Sequence, residues 1–360
     1  MPSAVQPSKL GHYIAANADL VRLRETGSLT ICRGDGVRVY DSQGREYIEA
    51  LSGLGCVSLG FSEQRLIAAA EKQMRQLPYY HSFAGRTPAI AMELAERLAP
   101  WLPVRDPHLF FTSSGSEAND SVIKLIRYYN NARGQPRRKK IIALENAYHG
   151  STTASSSLTG LHHNHEGFDL PIPGILYTTC PHFYRYAHPG ETEARFVERC
   201  ANNLEELILR EGPETIAALI AEPVMGVAGM IPPPEGYFAA IRAVLQRHDI
   251  LFHEDEVYTG FFRTGPRFAS DTFSPPPDLM TIGKALTSAY FPLSALVISG
   301  EIYRVIESQS SRQGVLAHGF TYGGHPTGCA VALETLRIYE EDQIVSRVRE
   351  RATQFASRME

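Results

Sequence analysis

A chain of 360 residues exceeds what one hydrophobic core usually organises, so two domains, or one large domain with an appendage, are expected. Its 43% hydrophobic and 21% charged content fits a soluble globular protein, and its formal net charge of −4 offers no field for nucleic acid or an anionic membrane. Five cysteines without CxxC spacing argue against a disulfide framework and for a reducing, cytoplasmic compartment, and no segment approaches the roughly 18 apolar residues of a membrane helix.

Near the N-terminus, residues 37–48 alternate around Asp41-Ser42-Gln43-Gly44, which predicts a β-hairpin. From about residue 62 the pattern changes. Helical periodicity near 63–77, 88–99, 117–133 and 196–211 alternates with apolar strand runs at 108–112, 140–145, 216–222, 249–254, 279–283 and 294–299. An α/β core follows, with helices covering a largely parallel sheet. Arg137-Arg138-Lys139-Lys140 reads as a solvated loop entering a strand, and 170–192, rich in aromatics and proline, reads as a long ordered loop. From Pro326 a helical pattern resumes and reaches Glu360 without a cap or closing strand, so the chain looks cut off. The expected division is an N-terminal segment and small-domain hairpin over 1–60, a large cofactor-binding domain over 61–325, and a connecting helix with the start of an incomplete small domain over 326–360.

Asp255 and Lys284 each stand where an apolar run ends, and their separation accommodates a strand, a crossover and a parallel strand. Both side chains should emerge at the carboxyl edge of one sheet, where open α/β folds bind ligands. Taken alone, the two also read as an ordinary ion pair. Leu109 to Thr112 predicts a buried strand, and Ser113-Ser114-Gly115-Ser116 then opens a helix whose apolar face carries Ala118, Val122, Leu125, Ile126 and Tyr129. Such a turn offers backbone N–H groups, hydroxyls and a helix N-terminus to a phosphate; equally, Ser116 is a plain N-cap before Glu117. Gly283-Lys284-Ala285 lacks the pattern of a nucleotide P-loop, and Gly53, Gly55 and Gly60 miss the dinucleotide spacing. A phosphate turn, an acid and an amine together suit pyridoxal 5′-phosphate: a lysine for its aldehyde, an aspartate for its ring nitrogen.

Six motifs carry a resemblance. Ser114-Gly115-Ser116-Glu117-Ala118-Asn119-Asp120, Ala147-Tyr148-His149-Gly150, Ala221-Glu222-Pro223, Asp255-Glu256-Val257 with Arg263-Thr264-Gly265, Gly283-Lys284-Ala285-Leu286, and Gly319-Phe320-Thr321-Tyr322 occur in the order found in class III, fold-type I pyridoxal-phosphate aminotransferases, which the chain resembles along nearly its whole length. Tyr128-Tyr129-Asn130-Asn131, Ser157-Leu158-Thr159-Gly160 and Phe168-Asp169-Leu170-Pro171 resemble the ω-transaminases within that class. The resemblance implies a large domain with a mostly parallel sheet plus a small α+β domain. It also implies transfer of an amino group from an amine or ω-amino acid to a keto acid such as pyruvate, through a Lys284 Schiff base and pyridoxamine phosphate. Aminomutases and decarboxylases share the same core motifs, and a truncated, non-catalytic binding homologue is the remaining alternative.

By resemblance Lys284 and Asp255 are catalytic, Ser114, Gly115 and Ser116 hold the phosphate, Tyr148 and Val257 flank the ring, and Glu222 lies near Asp255 as an orienting group. Thr321 reaches the phosphate of a neighbouring subunit, which implies a homodimer with shared sites. Leu54, Gly55, Phe83, Ala84, Tyr148 and Val227 are expected to line the substrate pocket. Gly55 and Ala84 replace larger family residues and imply a roomier site, while Val227 narrows it and Phe262 replaces a usual glycine. His149 and His162-His163-Asn164-His165 have no metal-ligand spacing, so no metal is expected. No residue here matches the family's arginine for a substrate carboxylate.

Overall fold

The computed structural model describes residues 11–359. A three-stranded antiparallel sheet comes first, formed by β1 (Ile31–Asp35), β2 (Arg38–Asp41) and β3 (Glu46–Ile48). The predicted hairpin is its β2–β3 half. Its turn closes on the Asp41 carboxylate, which accepts the N–H groups of Gln43 and Arg45, each at 2.9 Å.

The main sheet has seven strands: β4 (His108–Thr112), β5 (Lys140–Leu144), β6 (Ile175–Thr178), β7 (Ile216–Ala221), β8 (Leu251–Asp255), β9 (Leu279–Ile282) and β10 (Ser294–Ile298). They lie side by side as β4-β10-β9-β8-β7-β5-β6, and only β10 runs antiparallel to its neighbours. Its direction has a simple cause. Residues 283–293, between β9 and β10, are fewer than the dozen or so that a parallel crossover needs, so the chain turns straight back. Lys284 sits in that turn with a φ of 45°.

Every residue of β7, β9 and β10 is buried, as expected when helices cover both faces. Helix Glu193–Glu211 and helix Tyr237–Arg247 pack one apolar layer around Phe196, Leu204, Phe238 and Phe252. Helix Gly115–Ala132 buries Ala118, Val122, Leu125, Ile126 and Tyr129, the face its periodicity predicts. On the far side, helix Pro326–Glu341 packs Ala332, Leu333 and Leu336 with Leu94 and Trp101.

Two expectations need correction. The stretch 170–192 is not only loop: it contains edge strand β6 and the short helix Phe183–Tyr186. A four-residue strand flanked by prolines is too short to show a period, and pairing with β5 creates it. The first helix after β4 starts at Gly115, two residues earlier than 117, because Ser114 is the N-cap: its hydroxyl accepts the Glu117 N–H at 3.2 Å. The basic run 137–140 has local protein partners: Arg137 pairs with Glu214, Lys140 with Glu211, and Arg138 donates to the carbonyls of Ile216, His248 and Asp249.

Candidate active site

β8 and β9 are parallel neighbours, with Asp255 opposite Thr281, so both strands deliver their ends to one edge. A cavity of about 370 Å³ opens there, bounded by Ser113–Ser116, Tyr148, Glu222, Asp255, Val257 and Lys284 among others. Residues that the sequence scatters over nearly half its length thus share one wall.

Asp255 is buried and held from three directions. Asn119 Nδ2 donates to Oδ2 at 2.7 Å, His149 Nδ1 lies 2.9 Å from the same oxygen, and the Val257 N–H reaches Oδ1 at 3.1 Å. Burial pushes the carboxyl up, but the His149 hydrogen bond and charge and the Asn119 amide outweigh it, and the group is held below its ordinary value. It stays an anion inside the protein.

Behind it runs a chain of polar contacts. Asn119 Oδ1 accepts the Thr281 hydroxyl at 2.9 Å, and His253 Nε2 lies 2.8 Å from that hydroxyl. Burial drives the His253 imidazole down to about 3, so it remains neutral. Asn119 also donates to the His149 carbonyl at 2.7 Å. Neither Asn119 nor His149 was singled out as a site residue from sequence, although both lie inside the motifs quoted above. Their position one helical turn, or one residue, beyond a recognised group was the available signal.

Lys284 is partly buried at the turn after β9. Burial lowers its amine below the ordinary lysine value, while the charges of Asp255, Cys56 and Glu222 pull it back up. Its Nζ lies 4.6 Å from the centre of the Tyr258 ring. The positive φ is costly for lysine, and such strain persists where surrounding structure over-determines it.

The phosphate-type turn is assembled as well as capped. Ser114 spends its hydroxyl on the helix, whereas Ser116 accepts the Ser151 N–H at 3.1 Å and bounds the cavity. Gly115 stands against Val257: a Cβ there would lie 3.0 Å from its Cγ2. A side chain at 115 would therefore fill the cradle that the turn forms.

A sequence profile of the aminotransferase class-III family matches residues 22–360. The chain belongs to the class-III aminotransferase family. It is 53% identical over 328 residues to gamma-aminobutyrate transaminase 1, mitochondrial, of Oryza sativa subsp. japonica, covering 91% of this chain and 64% of that protein. It is 54% identical over 321 residues to the Solanum lycopersicum gamma aminobutyrate transaminase 1, mitochondrial, covering 89% and 62%. The chain thus spans under two thirds of the length of these curated relatives. The crystal structure of the ω-transaminase from Pseudomonas jessenii in complex with PMP superposes with a TM-score of 0.93 at 50% identity, over 94% of this chain and 74% of that one. The fold is therefore that of the fold-type I transaminases.

Within this class-III chain Glu222 lies beside the Asp255 cluster. Its Oε1 accepts the Tyr148 N–H and its Oε2 the Gly226 N–H, each at 2.9 Å. Burial and then the Asp255 charge raise its carboxyl to about 7, with His149 opposing. Burial likewise raises the Tyr148 phenol, with Asp255 and Glu222 adding to it.

The expected substrate-pocket residues divide. Tyr148 and Val227 bound the cavity; Leu54, Gly55, Phe83 and Ala84 do not in the single chain. Leu54 is 70% exposed. Gly55 is buried behind Tyr258, where a Cβ would lie 2.5 Å from the ring. Phe83 lines a separate cavity of about 240 Å³ with Phe111, His318 and Phe320. Thr321 is exposed near that patch, its carbonyl accepting the Tyr79 hydroxyl at 2.8 Å. Phe262 packs edge-on against Trp101 and Tyr339 in the core, with a φ of 71°. Cys56, Tyr258 and Phe291 bound the main cavity without having been expected there. No group of three or more potential metal ligands occurs among the described residues.

Proposed function

We propose that this chain carries the cofactor site of a transaminase that moves an amino group from a primary amine or ω-amino acid to a keto acid such as pyruvate. The observation that carries it is one cavity holding a desolvated lysine amine, an aspartate kept ionised while buried, and a helix N-terminus. Pyridoxal 5′-phosphate fits this donor set, since it supplies an electrophilic aldehyde, a basic ring nitrogen that becomes an electron sink when protonated, and a phosphate dianion. Cavity volume also agrees with sites for molecules of that size.

Lys284 would hold the aldehyde carbon, and its depressed basicity favours the uncharged amine needed to attack and then to move protons. Asp255 would keep a proton on the ring nitrogen; its anchors at Asn119 and His149 keep both its charge and its aim. Ser114, Gly115 and Ser116 would hold the phosphate at the positive end of helix Gly115–Ala132. Tyr148 and Val257 would flank the ring. Glu222, raised to about 7, would orient Tyr148 through its backbone and adjust the charge beside Asp255.

A homodimer is part of the reading. Tyr79, Phe83 and Tyr322 are exposed around Thr321, an apolar surface suited to a second copy that would receive Thr321 at its phosphate turn. The domain division stated above belongs to the same reading, with the three-stranded sheet in the small-domain part. The relatives' printed names place them in mitochondria or chloroplasts, and the scattered cysteines support a reducing compartment, which includes the cytoplasm. No helix among the described residues is long and apolar enough to cross a membrane.

The test is a spectrum of the protein loaded with pyridoxal phosphate. An absorbance band near the visible edge should vanish when an amine is added without keto acid and return with pyruvate; a band insensitive to every amine tried overturns the reading. Borohydride reduction and peptide mapping should place the label on Lys284.

A further inference from the structure

Directly beside Lys284 stands a side chain that no motif explains. Tyr258 follows Val257, whose N–H is fixed to Asp255, so its backbone is registered to the end of β8. The ring faces two glycines. A Cβ on Gly55 would lie 2.5 Å from Tyr258 Cε2, and one on Gly226 would lie 2.8 Å from its Cγ. Carbon atoms in a packed interior do not approach so closely, so the ring fills volume that both glycines leave open. The Gly55 carbonyl accepts Arg263 Nη2 at 2.9 Å, which ties that backbone in place. On the cavity side the same ring lies 4.6 Å from Lys284 Nζ, within the range at which an aromatic face and an ammonium attract.

We propose that Tyr258 determines which amines reach Lys284: its ring, seated in the notch left by Gly55 and Gly226, forms the wall beside the lysine, so small donors are accepted and donors with a bulky substituent on that side are excluded. The proposal rests on the transaminase reading for its substrate class. It is an alternative to the expectation that glycine at 55 enlarges the site. The volume removed at position 55 is returned by the ring at 258. A single methylene alters discrimination by roughly 10–200-fold, and an aromatic side chain carries several times that area.

A test independent of turnover uses the cofactor-free protein. Propanal and 3-phenylpropanal are each trapped on Lys284 with cyanoborohydride, read by peptide mass, in the unchanged protein, Tyr258→Phe and Tyr258→Ala. Tyr258→Ala should raise the ratio of bulky to small aldehyde trapped by at least about tenfold, with Tyr258→Phe close to the unchanged protein. The same ratio in all three proteins overturns the proposal. With pyridoxal phosphate bound, kcat/KM for a small and an aryl-substituted amine should shift in the same sense. A trapping shift without turnover in any of the proteins supports the role of Tyr258 and sinks the transaminase reading instead. Folding is controlled by a cycle: Gly55→Ala should lower the Tm of the cofactor-free protein, and lower it less in the Tyr258→Ala background. Strict additivity would show that the two positions do not share the notch.

Discussion

At the sheet edge, Asp255 is held by a buried amide and an imidazole, with Lys284 at the end of the neighbouring strand, whereas of the residues also expected there Gly55 lies behind a ring, Phe83 lines another cavity, and Leu54 and Ala84 are exposed. The first region is one connected set of hydrogen bonds running from Asp255 through Asn119 and Thr281 to His253. The second is a set of packing choices in which volume lost at one position is taken up at another. On the proposed reading, chemistry would be concentrated in the hydrogen-bonded set and selectivity where several packing arrangements fill the same space.

The largest test of that contrast is Lys284→Ala. It should abolish turnover while some cofactor remains bound without a covalent link, measured by steady-state kinetics and by cofactor retained after gel filtration. Full loss of cofactor would show that the phosphate turn and Asp255 hold little by themselves.

Asp255→Asn comes next. The amide keeps the shape but not the charge that protonates a ring nitrogen, so the half-reaction should slow by several orders of magnitude in stopped-flow. Rates near those of the unchanged protein would reduce Asp255 to a structural group.

Asn119→Ala probes the support behind Asp255. Removing a hydrogen bond to a charged group costs about 1.5–3 kcal/mol, so a loss of roughly tenfold to a hundredfold is expected, together with a shift of the acidic limb of the pH profile toward higher pH. An unchanged acidic limb would mean that Asn119 contributes packing alone.

The smallest expected effect is on stability. Glu222 is raised from 4.5 to about 7, so between those values the folded protein holds a proton that the unfolded chain has released. Its contribution is fully present below about 4.5 and is lost as pH rises through about 7. Glu222→Gln should remove that downward slope from a plot of unfolding free energy against pH; an identical slope in both proteins would show that Glu222 keeps an ordinary affinity for its proton.

Much of this was readable in the sequence because it is local. Strand runs, the apolar face of helix Gly115–Ala132 and the strand-end positions of Asp255 and Lys284 follow from period and punctuation within a few residues. β6 was not, since four residues carry no period and their partner lies more than thirty residues away along the chain, a separation of the order that any β crossover spans. His149 and Asn119 were passed over for a related reason: each sits inside a legible motif, but its value comes from meeting Asp255, over a hundred residues downstream.

By itself, then, the sequence determined the α/β class, the strand ends that present an acid and an amine to one edge, and the turn that caps a helix toward them. These depend on backbone period and on residue types whose chemistry is independent of their neighbours. Only the tertiary structure decided that a histidine and an asparagine keep Asp255 ionised, that Glu222 titrates near neutrality, and that Tyr258 occupies the space a glycine at 55 leaves free. Desolvation, charge proximity and shared volume are properties of atoms brought together from distant parts of the chain, and no local pattern records them.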